Sequence, residues 1–130
     1  MRRKFYRIPK ASYRSGLEDR VSSELAAAGV GFEYETAHFR YKTPAQEHTY
    51  TPDFWLPAHN LIVETKGRFV AADRKKHLLV RERNPHVDIR FVFQRSSTPI
   101  NKGSKTTYAM WCEKNGFKYA DKSIPQEWLQ

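Results

Sequence analysis

Cysteine is almost missing from this chain: among 130 residues only Cys112 carries a thiol. An intrachain disulfide and a four-cysteine zinc site are therefore excluded, and a reducing, intracellular setting fits. The five histidines are scattered without HxxxH-type spacing, which argues against a histidine metal site. No apolar run approaches the ~20 residues that cross a bilayer. The N-terminus is basic but has no apolar segment behind it, so it does not read as a secretory signal. Acidic residues are also scarce. Fourteen Asp and Glu face 23 Lys and Arg, for a formal charge of +9 and a pI near 9.8. Such a surplus favours a polyanionic partner, nucleic acid ahead of an anionic membrane. Internal repeats are missing as well. Apolar residues are not: hydrophobic side chains make up 39% and aromatics 14%. That is too much for a disordered chain and enough for the core of one domain.

Residues 1–14 hold Arg2, Arg3, Lys4, Arg7, Lys10 and Arg14 and no acid, with Phe5, Tyr6 and Tyr13 interleaved. Like charges repel, so this stretch reads as a mobile arm that a polyanion would order; the alternative is a solvated tail. A single domain follows over 15–130. The stretch SGLEDRVSSELAAAG predicts a helix. Ser15 and Glu18 form a capping-box pair, Leu17, Val21, Leu25 and Ala28 line one face, and Gly29 stops it. The alternating aromatics of GFEYETAHFRY predict a strand. Pro44 and polar residues then mark 43–48 as a connector long enough to cross between two parts of a molecule. Thr51–Gly67 reads as a hairpin turning at Pro57-Ala58-His59-Asn60. A second helix is expected over ADRKKHLLVRERNP, capped by Asp73 and ended by Pro85. DIRFVF is a further strand. SKTTYAMWCEKNG is a helix that starts at Thr106 or Thr107 and stops at Gly116. Residues 117–130 supply a short strand and a packed terminal segment. The whole is an α/β domain, a small sheet with helices packed on it.

The hairpin carries charges where a core strand should be apolar. Residues two apart share a face of a strand, so Glu64 and Lys66 lie together, opposite Val63 and Thr65. In the obvious register Asp53 joins them. Two carboxylates at a sheet edge suit a hard divalent cation, and a neighbouring ammonium can neutralise charge on a phosphodiester. An ordinary cross-strand salt bridge is the competing reading, and spacing alone does not separate the two. Pro52 before Asp53, Gly67 after Lys66, which lets another chain come close, and the basic chain favour the phosphodiester.

Pro52-Asp53 followed by Glu64-Thr65-Lys66 matches the PD-(D/E)xK nuclease pattern. RSGLEDRVSSEL, FEYE, HTYTPDFWLP, VETKG, DRKKHLLVRE, DIRFVF and CEKNGFKYADKSIPQEW resemble, in order and spacing, the endonuclease I family of T-seven-like bacteriophages. The likeness runs from about Arg14 to Trp128. It departs at the Ala58-His59-Asn60 turn, which is one residue longer. The resemblance implies a restriction-endonuclease-like core, with a small mixed sheet flanked by helices, in an intertwined, domain-swapped homodimer whose connector at 43–48 is the crossing bridge. It implies catalysis by Glu18, Glu33, Asp53, Glu64 and Lys66. Asp53, Glu64, Thr65 through its carbonyl, and Glu18 would hold Mg2+ or Mn2+, two ions per site. The activity implied is hydrolysis at four-way (Holliday) and other branched DNA junctions, in the cytoplasm of an infected bacterium.

On the residues alone, Glu18 is explained by helix capping and Glu33 as a solvated strand residue. Arg74, Lys75 and Lys76 are either the exposed first turn of a helix or phosphate contacts, and their closeness to the hairpin favours the latter. Cys112, beside Trp111 in a helix, reads as core rather than nucleophile. Two rival functions stand beside the resolvase: a sequence-specific restriction-type nuclease, and a non-catalytic DNA-binding module on the same fold.

Overall fold

A computed structural model describes residues 13–42 and 47–130. The basic arm, apart from Tyr13 and Arg14, and residues 43–46 of the connector lie outside the described residues. Helix α1 spans Gly16–Ala27. Ser15 caps it, its hydroxyl accepting from the Glu18 amide at 3.1 Å. The reciprocal half of the predicted capping box is replaced, because the Glu18 carboxylate accepts from the Arg14 amide instead, at 2.9 Å. Leu17, Val21 and Leu25 are buried as the periodicity predicts. Ala28 is the exposed C-cap, and Gly29 follows in the left-handed region at φ 70°.

The single strand expected over GFEYETAHFRY is broken. Strand β1 covers Glu33–Tyr34 and β2 covers Phe39–Lys42. Between them Glu35 takes φ 52°, which turns the chain out of the strand direction. Strand β3, Glu47–Tyr50, begins inside the expected connector and pairs antiparallel with β2, Phe39 opposite Tyr50 and Lys42 opposite Glu47.

The hairpin forms as predicted. Strands β4 (Phe54–Leu56) and β5 (Leu61–Lys66) pair antiparallel, with Phe54 opposite Val63 and Leu56 opposite Leu61. A 3₁₀ turn over Pro57–His59 closes it, and Asn60 takes the left-handed φ of 51° that asparagine tolerates. Helix α2 (Ala71–Arg83) crosses over to β6 (Asp88–Phe93), which lies parallel to β5. Val70 is its N-cap, without a side-chain hydrogen bond. Asp73, expected as the cap, therefore sits inside the first turn. Helix α3 (Tyr108–Asn115) starts at Thr107, whose side chain accepts from the Met110 amide, and stops at Gly116 with φ 75°. It leads to β7 (Lys118–Asp121), parallel to β6.

The resulting mixed sheet has the order β1-β4-β5-β6-β7. Alternation along β5 sends Leu61 and Val63 into the apolar layer under α1, together with Phe54, Leu56 and Trp128. Ile62 enters the opposite layer, with Phe69, Val80, Phe91, Phe93 and Cys112. Each such side chain contributes about 1.5–3 kcal/mol by leaving water, so β5 is held firmly from both sides. Its C-terminal end, Thr65 and Lys66, emerges from that clamp just beyond the still-buried Glu64. Among the described residues no helix is long and apolar enough to cross a membrane.

Candidate active site

Asp53 precedes β4, opposite Glu64 in the hairpin register. Its amide donates to Glu64 Oε2 at 2.8 Å. Its own Oδ2 accepts from both the amide and the hydroxyl of Thr65, each at 2.9 Å. The Glu64 carboxylate is thus locked to the Asp53 backbone and the Asp53 carboxylate to Thr65, and neither can leave without breaking a charge-assisted hydrogen bond. Glu64 is only 3% exposed and shares a face with Ile62 and Lys66. Lys66 Nζ stands 3.5 Å from Glu64 Oε1 and 3.6 Å from Asp73 Oδ2 of α2. Burial, reinforced by the Asp53 charge, pushes the Glu64 carboxyl up to about 7, although Lys66 pulls the other way. Behind Glu64, His77 of α2 is fully buried, with Nε2 3.7 Å from Glu64 Oε1. Burial, then the charges of Lys66 and Lys76, hold that imidazole well below its usual range, so it is neutral.

Glu18 enters from the other layer. It is buried, and its Oε1 accepts from the Arg14 amide and the Tyr34 hydroxyl, both at 2.9 Å. Desolvation, and secondarily Asp53, raise its carboxyl above the ordinary value. Glu18, Glu35 and Asp53 each offer a carboxylate oxygen, and these oxygens lie within 4.8 Å of one another. Glu33 does not join them. It is exposed on β1, paired with Trp55 across the sheet and accepting from the Thr36 hydroxyl at 3.4 Å. Glu35 faces the cluster instead, because its left-handed backbone redirects the side chain, and sequence reasoning overlooked it. The signal was faint: alternation assigns Glu33 and Glu35 to one face and cannot foresee the turn between them. Arg14, largely exposed, pairs with Glu35 at 3.4 Å and offsets part of the cluster's charge.

This donor set fits hard divalent cations. Carboxylates gathered at such distances repel unless protonated or bridged by positive charge; burial first, and the Asp53 charge second, raise the carboxyls of both Glu64 and Glu18. Glu18, Glu35 and Asp53 could hold one ion, and Glu64, tied to the Asp53 amide, lies on the other side of Asp53. Thr65 spends its amide and hydroxyl on Asp53, which leaves its carbonyl as the group to offer.

The basic residues divide. Arg74 is not a surface contact: it is buried, and Nη1 donates to the carbonyls of Phe69 at 2.6 Å and Ile100 at 3.4 Å. With α2 starting at Ala71, position 74 turns inward. Lys75 is exposed. Lys76 lies over the Tyr50 ring, 5.6 Å from its centroid, and 3.9 Å from Asp73. Arg2, Arg3, Lys4, Arg7 and Lys10 lie outside the described residues. Arg68 and Lys102, not singled out from sequence, line a cavity of about 300 Å³ at the start of α2. Cys112 is buried, and burial pushes its thiol up to about 12, the mark of a core residue rather than a nucleophile.

The phage endonuclease I family model matches residues 3–130. Endonuclease I of Escherichia phage T7 is 55% identical over 119 residues, covering 92% of this chain and 79% of that protein. Endodeoxyribonuclease 1 of Enterobacteria phage T3 is 51% identical over 114 residues, covering 88% and 74%. With nearly every residue spanned, and with Asp53, Glu64 and Lys66 gathered at the end of one clamped hairpin, the chain belongs to the phage endonuclease I family.

Proposed function

We propose that this phage DNA endonuclease resolves four-way and other branched DNA junctions by divalent-metal-dependent phosphodiester hydrolysis, acting as an intertwined homodimer in the cytoplasm of the infected bacterium. The observation that carries the metal-dependent chemistry is the clustering of Glu18 and Glu35 around Asp53, with Glu64 and Lys66 beside it at the C-terminal end of β5, which is the central strand of the sheet and not the edge expected from the sequence. Mg2+ or Mn2+ held by Asp53, Glu64 and Glu18, with the Thr65 carbonyl, would supply Lewis acidity toward the phosphodiester; two ions per site fit the spread of carboxylates across both layers. Lys66 is positioned to counter the negative charge that grows on the phosphate as water attacks. Thr65 fixes Asp53, and the Asp53 amide fixes Glu64, so the charges are oriented before substrate arrives. Exposed Arg14 and Lys75, with the basic arm, would bind phosphates without reading bases, which suits recognition by shape. Two sites fixed in one dimer would favour a branched substrate that reaches both.

Incubation with a synthetic four-way junction and with its component duplexes tests this reading. Paired cleavage of the junction is expected with Mg2+ or Mn2+, binding without cleavage in EDTA, and little cleavage of the linear duplexes. Cleavage at a defined sequence in linear duplex would favour a restriction-type enzyme. Full activity after exhaustive chelation would remove the metal site.

A further inference from the structure

His77 is the most deeply enclosed polar side chain that the chemistry above leaves without a task. Its exposure is 0%. The rings of Phe91, Tyr50 and Phe69 surround it, at centroid distances of 5.0, 5.5 and 6.1 Å. Neither ring nitrogen has a hydrogen-bond partner among the described residues, and the buried Tyr50 hydroxyl beside it has none of good geometry either. Aromatic cages of this kind accept a hydrophobic side chain without penalty, whereas an unpaired buried imidazole is costly. A polar ring kept there at a cost needs a polar object, and Glu64 Oε1, 3.7 Å from Nε2, is that object. One turn earlier on the same helix face, Asp73 Oδ2 stands 3.6 Å from Lys66 Nζ.

We propose that α2 is a positioning element, with His77 and Asp73 seating Glu64 and Lys66 from behind. The inference rests on the proposed roles of Glu64 at the metal and Lys66 at the phosphate. Glu64 has one oxygen fixed by the Asp53 amide, and its other oxygen faces His77. A shift of that carboxylate by about 0.8 Å closes an Nε2–H···Oε1 hydrogen bond of ordinary length. The bond fixes the second oxygen and so the direction in which the carboxylate's lone pairs point. Histidine and carboxylate partners behind metal ligands act this way generally. Asp73 plays the corresponding part for Lys66. It holds the ammonium midway between itself and Glu64, so that the charge is placed over the reacting phosphate and not folded wholly onto Glu64.

The test compares His77→Gln, which keeps an amide donor at similar reach, with His77→Met, which has nearly the same shape and no donor. Melting curves verify that both fold. Mn2+ binding by calorimetry and the Mg2+ dependence of junction cleavage are read for each. His77→Met should weaken Mn2+ binding and raise the Mg2+ half-saturation about tenfold or more, while His77→Gln recovers most of that loss. Asp73→Asn should lower kcat at saturating Mg2+ and leave the half-saturation unchanged. Equal impairment of the Met and Gln variants would reduce His77 to packing, as would a Met variant that binds metal like the wild type. An unchanged kcat in Asp73→Asn would overturn the role of Asp73. Metal-independent cleavage by the wild-type protein would instead overturn the metal-site reading, and this inference would fall with it.

Discussion

Glu64 concentrates the conflict on which the site is built. A carboxyl that is almost wholly buried beside Asp53 resists ionisation, and its proton leaves only near pH 7. Its ordinary value is 4.5, so folding raises the pKa. The sign follows from linkage: the folded state binds this proton more tightly than the unfolded state. The resulting stability is full below about pH 4.5 and is lost as pH rises through 7. For the metal-free protein that loss amounts to roughly 3 kcal/mol, and the raised carboxyl of Glu18 acts in the same direction. A cation at the proposed metal site would relieve it. The increase in melting temperature produced by Mg2+ over EDTA should therefore be small at pH 5 and grow steadily to pH 8. A Glu64→Gln protein should lose most of that growth. A Mg2+ effect of equal size at both ends of the range would show that Glu64 does not take part.

At the scale of elements, the first turn of α1 links stability to the site. Ser15 caps the helix, while Glu18, three residues on, faces Asp53. The two tasks are separable, because the Arg14 amide and the Tyr34 hydroxyl hold Glu18 without help from Ser15. Ser15→Ala should cost about 1 kcal/mol, seen as a lower urea midpoint at unchanged m-value, with cleavage at saturating Mg2+ preserved. A large loss of cleavage would mean that the cap also aims Glu18. The same elements show what was legible in the sequence. Strand alternation and the turn at Pro57–Asn60 placed Asp53 and Glu64 opposite each other, since a hairpin's register follows from its turn and its apolar pattern. The caps of α1 and α3 could be read directly from Ser15, Thr107, Gly29 and Gly116. Glu35 could not, because a left-handed residue cancels the parity on which alternation depends. Asp73 and Arg74 were misread for one reason: a plausible cap at Asp73 moved the expected helix start by three residues and put Arg74 in an exposed first turn. The contact of His77 with Glu64 needs the crossover from β5 through α2 to β6 to bring it about, and no local pattern encodes that.

For the whole molecule, as the proposed homodimer, the deciding question is which chain completes each site. Residues 13–42 join the rest through 43–46 alone, yet they supply Glu18, Glu35, and the β1 edge of the sheet. Asn84 of one unit also bonds the Arg40 carbonyl of the other at 3.0 Å. An exchange of such a unit between two copies keeps every one of these contacts and alters only the joint. The geometry at Asp53 is therefore the same whether Glu18 comes from its own chain or from a partner. Mixed dimers distinguish the two. When a Glu18→Ala chain is paired with an Asp53→Ala chain in an exchanged dimer, one site collects both lesions and the other is intact. Such a dimer should nick one strand of a four-way junction and fail at paired cleavage. Without exchange each site carries one lesion and the dimer is dead. A chain with both lesions paired with a wild-type chain reverses the outcome: dead if the sites are shared, nicking if they are not. Loss of one ligating carboxylate should slow cleavage on the order of 10²-fold, well clear of the background from the mutant homodimers. A dead first pairing with an active second one would overturn the exchanged dimer and leave the site within a single chain.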